Sequence, residues 1–440
     1  MPHRIAIAIA IAIAIAAAFG TLLAATTLAR ADPVLDYTLG ASLNHSDNIN
    51  YSSTDPVSAN MLSPNLGFSI TEQGSTLSAI AAGSLEYRDY LGNEFGNEFR
   101  TLFSGLANWH ISPERFDWSF ADNIGRQPIN ALQSNSPSNQ QQTNVFSTGP
   151  TLRAKFSDVL HGLFDLRYTN SYADTTKAFN SNRLGALGSL LYPLDPANTL
   201  SGSVTASQTR YIESESKMFD YDREDAYVGY QRKTPAFTLD AAVGYSWLDM
   251  RHADSRSGSL LRGSLRWNPT PATSLGVSID REYSDAAQDL VFTPAQLGNV
   301  GIGSGINGAV ITPQVYVENR VGFDINHRED TFRVGFTPFW RKLDYIDDPT
   351  SDQRSSGYYA SADYYVRPTL WLGFYAGQER RKYTAIERTD DDLRYGISLN
   401  LQRTRHWLWS LLAEHQRRDS NGVDSSYSEN SILLSITWRR

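Results

Sequence analysis

Phe237-Thr238-Leu239-Asp240-Ala241-Ala242-Val243-Gly244-Tyr245-Ser246-Trp247 decides the fold: its odd positions are apolar and its even positions small or polar. A period of two is the mark of a β-strand with one apolar face. Leu261-Arg262-Gly263-Ser264-Leu265-Arg266-Trp267 repeats it, as do Phe332 to Phe336 and Leu393 to Leu401. A half-buried soluble sheet also alternates, so one such segment settles little. From about Tyr37 to the end, however, roughly twenty of them follow in hairpins about 38 residues apart, with no helical segment to cover a face. A sheet of that size closes, splits or pairs with another, and segments of about ten residues match the outer-membrane span of roughly 9–11.

The connections between these segments sort into two kinds. Ser112-Pro113-Glu114-Arg115, 195–199, 233–236, Asn268-Pro269-Thr270-Pro271, 327–330, Arg367-Pro368-Thr369 and 403–406 are short, and many carry Pro, which pre-sets a turn and cannot continue a ladder. Between them lie longer polar stretches such as 127–142, 346–354 and 384–391. Short periplasmic turns alternating with longer outer loops is the construction of an outer-membrane barrel. Tryptophan agrees. Trp109, Trp118, Trp267, Trp371, Trp407, Trp409 and Trp438 lie near short turns or the C-terminus, and Trp247 and Trp340 near the other strand ends, as two interfacial girdles require. The expected fold is all-β: an antiparallel up-and-down transmembrane barrel of about 20 strands (18–22) with both ends periplasmic. Its least regular stretches are the first strand, near Leu39 to His45, and 181–230.

Residues 1–31 read as an address. A basic start, an apolar run from Ile5 to Ala25 and the small-x-small site Ala29-Arg30-Ala31 form a signal peptide, with cleavage at Ala29 and Ala31. An uncleaved anchor is the alternative, since the run is long enough to span a bilayer. The barrel domain is then 32–440, in the outer membrane of a Gram-negative bacterium, and no plug domain precedes its first strand. The absence of Cys excludes a disulfide framework and a thiolate metal site. A net charge of −8, spread along the chain, argues against nucleic acid. The other partners expected are outer-membrane lipid and lipopolysaccharide, and the barrel-insertion machinery.

If the apolar phase faces lipid, the other lines the lumen. It carries Glu86, Arg88, Arg153, Asp165, Arg167, Asp240, Arg262, Arg266, Asp280, Glu318, Arg320, Asp324, Arg333, Arg341 and Arg394. Arg outnumbers Lys about 33 to 6, and its planar fork suits carboxylates and phosphates. One reading is a polar channel holding anionic or sugar-like solutes; the other is a ladder of Arg–carboxylate pairs that only stiffens the wall. Two long loops bear on this. Gln127–Gln142 is Asn/Gln-rich and reads as solvated. The 286–312 stretch holds Leu290, Val291 and Phe292, then a Gly-rich run with Leu297, Ile302 and Ile306. It reads either as a lid or constriction folded into the mouth, or as a surface loop.

No catalytic set emerges. His161, His327 and His406 fall in short turns, and His252/Asp254 and His45/Asp47 are pairs that chance supplies among so many polar loop residues. Asp390-Asp391-Asp392 and Asp347-Asp348 have the composition to gather a divalent cation bridging lipopolysaccharide, but read more simply as solvated loop acids. No enzyme, cofactor or metal site is expected.

Near the start of the barrel, Ser46-Asp47-Asn48-Ile49 closes a strand and Ser63-Pro64-Asn65-Leu66-Gly67 follows. Then come Tyr87-Arg88-Asp89-Tyr90, Ala121-Asp122-Asn123, Thr143-Asn144-Val145 and Gly149-Pro150. This order resembles the outer-membrane β-barrel porins encoded beside exopolysaccharide and PEP-CTERM systems, over the whole of 32–440. The resemblance implies a barrel linked to surface-polysaccharide export, with export components as partners, and carries no catalytic residues. The chain departs from the usual aromatic last residue, ending Trp438-Arg439-Arg440. Two functions remain: a passive channel or secretion conduit, or a non-conducting surface or scaffold barrel that binds glycan or a periplasmic partner.

Overall fold

A computed structural model describes residues 33–291 and 310–440. The signal-peptide reading, with Ala29 and Ala31, lies outside the described residues, as do Phe292, Leu297, Ile302 and Ile306. Twenty strands follow one another: β1 (Val34–Ser46), β2 (Ala59–Gln73), β3 (Leu77–Tyr90), β4 (Glu98–Ser112), β5 (Phe116–Pro128), β6 (Gln140–Lys155) and β7 (His161–Ala173). Next are β8 (Ser181–Asp195), β9 (Asn198–Tyr211), β10 (Tyr221–Lys233), β11 (Phe237–Met250), β12 (Arg256–Thr270), β13 (Thr273–Asp285) and β14 (Val315–Arg328). The last are β15 (Phe332–Tyr345), β16 (Gln353–Arg367), β17 (Leu370–Tyr383), β18 (Arg388–Gln402), β19 (Trp407–Ser420) and β20 (Tyr427–Arg439).

Each strand pairs antiparallel with the next, and β1 pairs with β20 from Thr38↔Arg439 to Ser46↔Ser431. The sheet is therefore closed, and no strand edge is left to seek hydrogen bonds in lipid. Among the described residues no helix is long and apolar enough to cross a membrane. The chain is an outer-membrane β-barrel, as the alternation and the sorted connections predict. The stretch from 181 to 230, least regular in sequence, forms β8 to β10, with a short 3-10 turn, Ser214–Phe219, between β9 and β10.

The register carries one phase unbroken around the barrel. Leu43, Leu62, Val204, Val243, Phe323 and Leu434 all belong to it and are exposed, an apolar belt for acyl chains. Eight of the nine Trp share this face, and Trp371 does not. It belongs to the lumen phase and stacks on Tyr365 at 5.7 Å and 22°. Closeness to a turn fixes a ring's height but not its face, which is why the girdle reading misplaces it.

Strands are longer and loops shorter than the sequence implies. They run from 13 residues in β1 to 16 in β6. At about 3.3 Å per residue and a tilt near 40°, that is roughly 33–40 Å along the axis, against an apolar band of roughly 25 Å. The wall therefore projects beyond the membrane, and polar stretches that read as loops are its upper rungs. Arg354, Arg380, Lys382 and Arg417 lie in the outward phase there. Asp390 to Asp392 are such a case. They sit in β18, where alternation sends Asp391 outward and Asp390, fully buried, inward to Arg388 at 2.8 Å and to Ser420. They are neither solvated loop acids nor a joint cation site.

Candidate functional site

The lumen phase holds the charged residues that alternation assigns to it, and most are paired. Arg88 donates to Glu86 at 2.8 Å, Arg262 to Glu282 at 2.6 Å and Arg394 to Glu414 at 2.7 Å. Arg167 reaches Asp165 at 2.8 Å, and Arg153 binds Asp117, which also holds His110. Asp324 accepts from Thr337 at 3.3 Å. Arg266 and Arg320 share the lumen-facing register with Gly276 and Asp280 respectively, and Arg333 lies 4.7 Å over the Tyr365 ring. These pairs run both along a strand, as Arg88–Glu86 and Arg167–Asp165 do, and across strands, as Arg153–Asp117, Arg262–Glu282 and Arg394–Glu414 do.

Two loops at the extracellular end pack onto the wall strands. The first joins β13 to β14. At the top of that hairpin both faces are buried, which a wall bordering lipid on one side does not produce. Tyr283 and Val315 belong to the outward phase, yet pack against Tyr221, Leu248 and Met250, inward-facing on β10 and β11. On the opposite face Tyr316 packs with the inward Leu343 and Tyr345 of β15. The hairpin tip thus leans over the lumen. It continues into a helical turn, Ala286–Asp289, whose first amides are capped by Asp285 through the Gln288 N–H at 3.0 Å. Ala286, Ala287, Leu290 and Ile311 then bury themselves against Val145, Ala173 and Phe179, on and above β6 and β7. This segment crosses the mouth.

Polar contacts fix it at both ends. Asp285 accepts from Arg183 on β8 and from the Tyr221 hydroxyl at 2.7 Å. Asp289 accepts from Tyr316 at 2.6 Å and from Arg341, whose Nε donates to Glu318 at 2.8 Å. Burial pushes the Asp289 carboxyl up, against the pull of Arg341. The described part of this stretch, Leu290 included, is packed against the wall strands.

The second loop, 129–139, joins β5 to β6 and is folded on its own hydrogen bonds, where its composition implies a solvated loop. Asn139 organises it by donating to the Asn130 and Ser134 carbonyls, both at 2.9 Å. Gln141 is buried and accepts from the Thr175 and Thr176 amides, tying it to the neighbouring loop. From across the mouth, Arg418 on β19 donates to the Gln133 carbonyl at 3.3 Å and to Asp392 at 2.6 Å. Amide side chains satisfy backbone groups as readily as water does, so polarity alone does not mark a loop as solvated.

Of the described residues singled out in sequence, the structure gathers Glu318, Arg341 and Leu290 around the Ala286–Asp289 turn and spreads the others along the wall. Arg183, Tyr221, Asp285, Asp289, Tyr316 and Arg418 are missed. One signal was available: Leu248, Met250, Leu260, Leu343 and Tyr345 are apolar in the lumen phase near the outer strand ends, and all are buried. The acid–His pairs do not form. His45 contacts Asn60 at 3.0 Å, whereas Asp47 holds Asn430 at 2.7 Å. No group of acids and His among the described residues is arranged to hold a metal.

No family model and no curated protein matches this sequence. Among solved structures, it is similar to the ferric enterobactin receptor PfeA of Pseudomonas aeruginosa at 11 % identity, over 93 % of this chain and 81 % of that one, with a TM-score of 0.47. The siderophore receptor PirA of the same organism gives 12 %, 93 %, 81 % and 0.45. The FrpB iron transporter of Neisseria meningitidis gives 9 %, 92 %, 81 % and 0.43. At these identities and TM-scores, nothing about ligand or transport passes from those receptors to this chain.

Proposed function

We propose that this barrel is a gated outer-membrane conduit whose cargo is a surface polysaccharide. The observation that carries the reading is the Asp289–Arg341–Glu318 cluster. It holds the β13–β14 loop across a polar, charge-balanced lumen through contacts that exchange with water once the loop lifts. A barrel of this strand number is wide enough for an aqueous lumen between those of porins and of larger transporters. The resemblance to exopolysaccharide-associated porins supplies the cargo class, and export components on the periplasmic side are the matching partners.

The test is conductance in a planar bilayer. The native barrel should show small or rare openings, and a variant with 286–314 replaced by a short turn should show large, steady steps. A well-inserted variant that stays silent would sink the conduit. The second reading, a non-conducting barrel that displays its loops to a glycan or partner, is favoured by the double closure at the mouth. It predicts that loop replacement alters binding and leaves conductance at zero. Polysaccharide synthesis and export genes flanking this one would favour the conduit.

A further inference from the structure

We infer that Trp371, Tyr375, Tyr359 and Phe339 form a stacking track along one wall of the lumen that binds a neutral pyranose chain; the assignment rests on the conduit reading and deepens it. All four lie in the lumen phase of three adjacent strands, β15 to β17. The register sets them in order from the periplasmic end upward, with one rung, Gly373 opposite Asp363, left without a ring between Trp371 and Tyr375. Trp371 pairs with Tyr365, Tyr375 with Ser361, Tyr359 with Gly377 and Phe339 with Gly357. Each rung rises two residues, roughly 6.6 Å along the strand, a spacing on the scale of a sugar unit.

Two of the rings, Tyr375 and Tyr359, lie against the wall. A Cβ at Gly396 would fall 2.7 Å from Tyr375, and one at Gly377 would fall 3.5 Å from the Tyr359 ring. Glycine opposite Tyr375 and Tyr359 is what lets these two rings lie down against the wall. At the periplasmic end Tyr365 is covered by Arg333 at 4.7 Å and by Trp371 at 5.7 Å, which leaves a Trp371 face as the first platform. An aromatic face takes up the apolar C–H face of a pyranose, while carboxylates and guanidinium groups beside it serve the hydroxyls.

Charge along the track selects a neutral chain. Arg394 is matched by Glu414 at 2.7 Å and Arg381 by Glu379 at 2.8 Å, while Arg333 faces Asp363 across the strands. No excess of either sign is left to attract an acidic polymer. The lumen phase of β6, by contrast, runs Gln141, Thr143, Val145, Ser147, Gly149, Thr151 and Arg153, without an aromatic residue.

The test measures binding in detergent micelles, with no current involved, so its failure is distinct from failure of the conduit. Maltoheptaose and cellohexaose are titrated into the purified barrel by calorimetry, with an oligogalacturonate of similar length as the acidic arm. A neutral oligosaccharide should bind, and Trp371→Ala combined with Tyr359→Ala should weaken it about tenfold or more. Unheated gel mobility serves as the check that the variant barrel is closed. Trp371→Phe, which keeps a ring face, should restore most of the affinity to the single-site loss. No binding of either neutral probe, a closed double variant that binds as the native protein does, or tighter binding of the oligogalacturonate would each overturn the assignment.

Discussion

Arg341 on β15 holds Asp289 of the β13–β14 loop in a pair that is buried on both sides, and the same guanidinium holds Glu318 on β14. One wall residue thus pairs with two carboxylates, one fixed on β14 and one on the loop. Arg341→Gln leaves these acids facing each other, an arrangement costing about 3–5 kcal/mol when a buried pair is broken. The loop is the part free to move, so the expected outcome is a several-fold rise in bilayer conductance with unheated gel mobility unchanged. Asp289→Asn keeps the Glu318 pair and should open the mouth less.

Directly after Asp289 the same loop is held by apolar contact. Leu290 is buried with Val145, Ala173 and Phe179. Leu290→Ala removes that anchor at a cost of about 2–5 kcal/mol. Limited proteolysis of intact cells should then cut the 286–314 segment faster than in the native protein. The β5–β6 loop, held by its own contact to Arg418, should cut at its native rate.

Alternation made the wall legible, and its limits explain what stayed hidden. Leu239 to Trp247 could be read because lipid selects every second residue along a strand. Leu248 and Met250 broke that reading because their selection comes from a hairpin tip that sequence places near 283 and 315. Arg183 meets Asp285 at 102 residues' separation, and Arg418 meets Gln133 at 285. Contacts of this kind leave no periodic trace. The charged phase could be told from the apolar one because charge facing lipid is costly, whereas Asn139 and Gln141 look the same whether they serve water or a loop backbone.

Gly149 on β6 marks a place where the sheet admits no side chain. A Cβ there would stand 1.9 Å from the Leu166 carbonyl oxygen on β7, which has no room to retreat without parting the strands. Gly149→Ala should cost about 1–3 kcal/mol as an overpacked site. The temperature at which the barrel unfolds in a gel-shift series should fall, with conductance of the surviving molecules unchanged.

Glu414 sets the charge balance on the opposite wall. It accepts from Arg394 at 2.7 Å and from the Tyr375 hydroxyl. Glu414→Gln leaves the Arg394 charge uncompensated in the lumen. In a barrel opened by the Arg341 change, reversal potentials under a salt gradient should shift toward anions. Arg394→Gln should shift them toward cations by a similar amount. Equal, unshifted potentials in both variants would place this pair outside the ion path.

Trp371 offers a direct reading of which face each ring occupies. Trp109, Trp118, Trp247, Trp267, Trp340, Trp407, Trp409 and Trp438 are in the outward phase, and Trp371 is stacked on Tyr365 in the lumen. Brominated lipids should quench the fluorescence of the eight and spare the ninth, because short-range quenching needs contact with acyl chains. In a protein with the eight outward residues changed to Phe, the remaining emission should resist the lipid quencher. It should instead respond to a small soluble quencher admitted from the periplasmic side, where the lumen carries no closing loop among the described residues. Strong quenching of Trp371 by brominated lipid would reverse its assigned face, and with it the phase of β17.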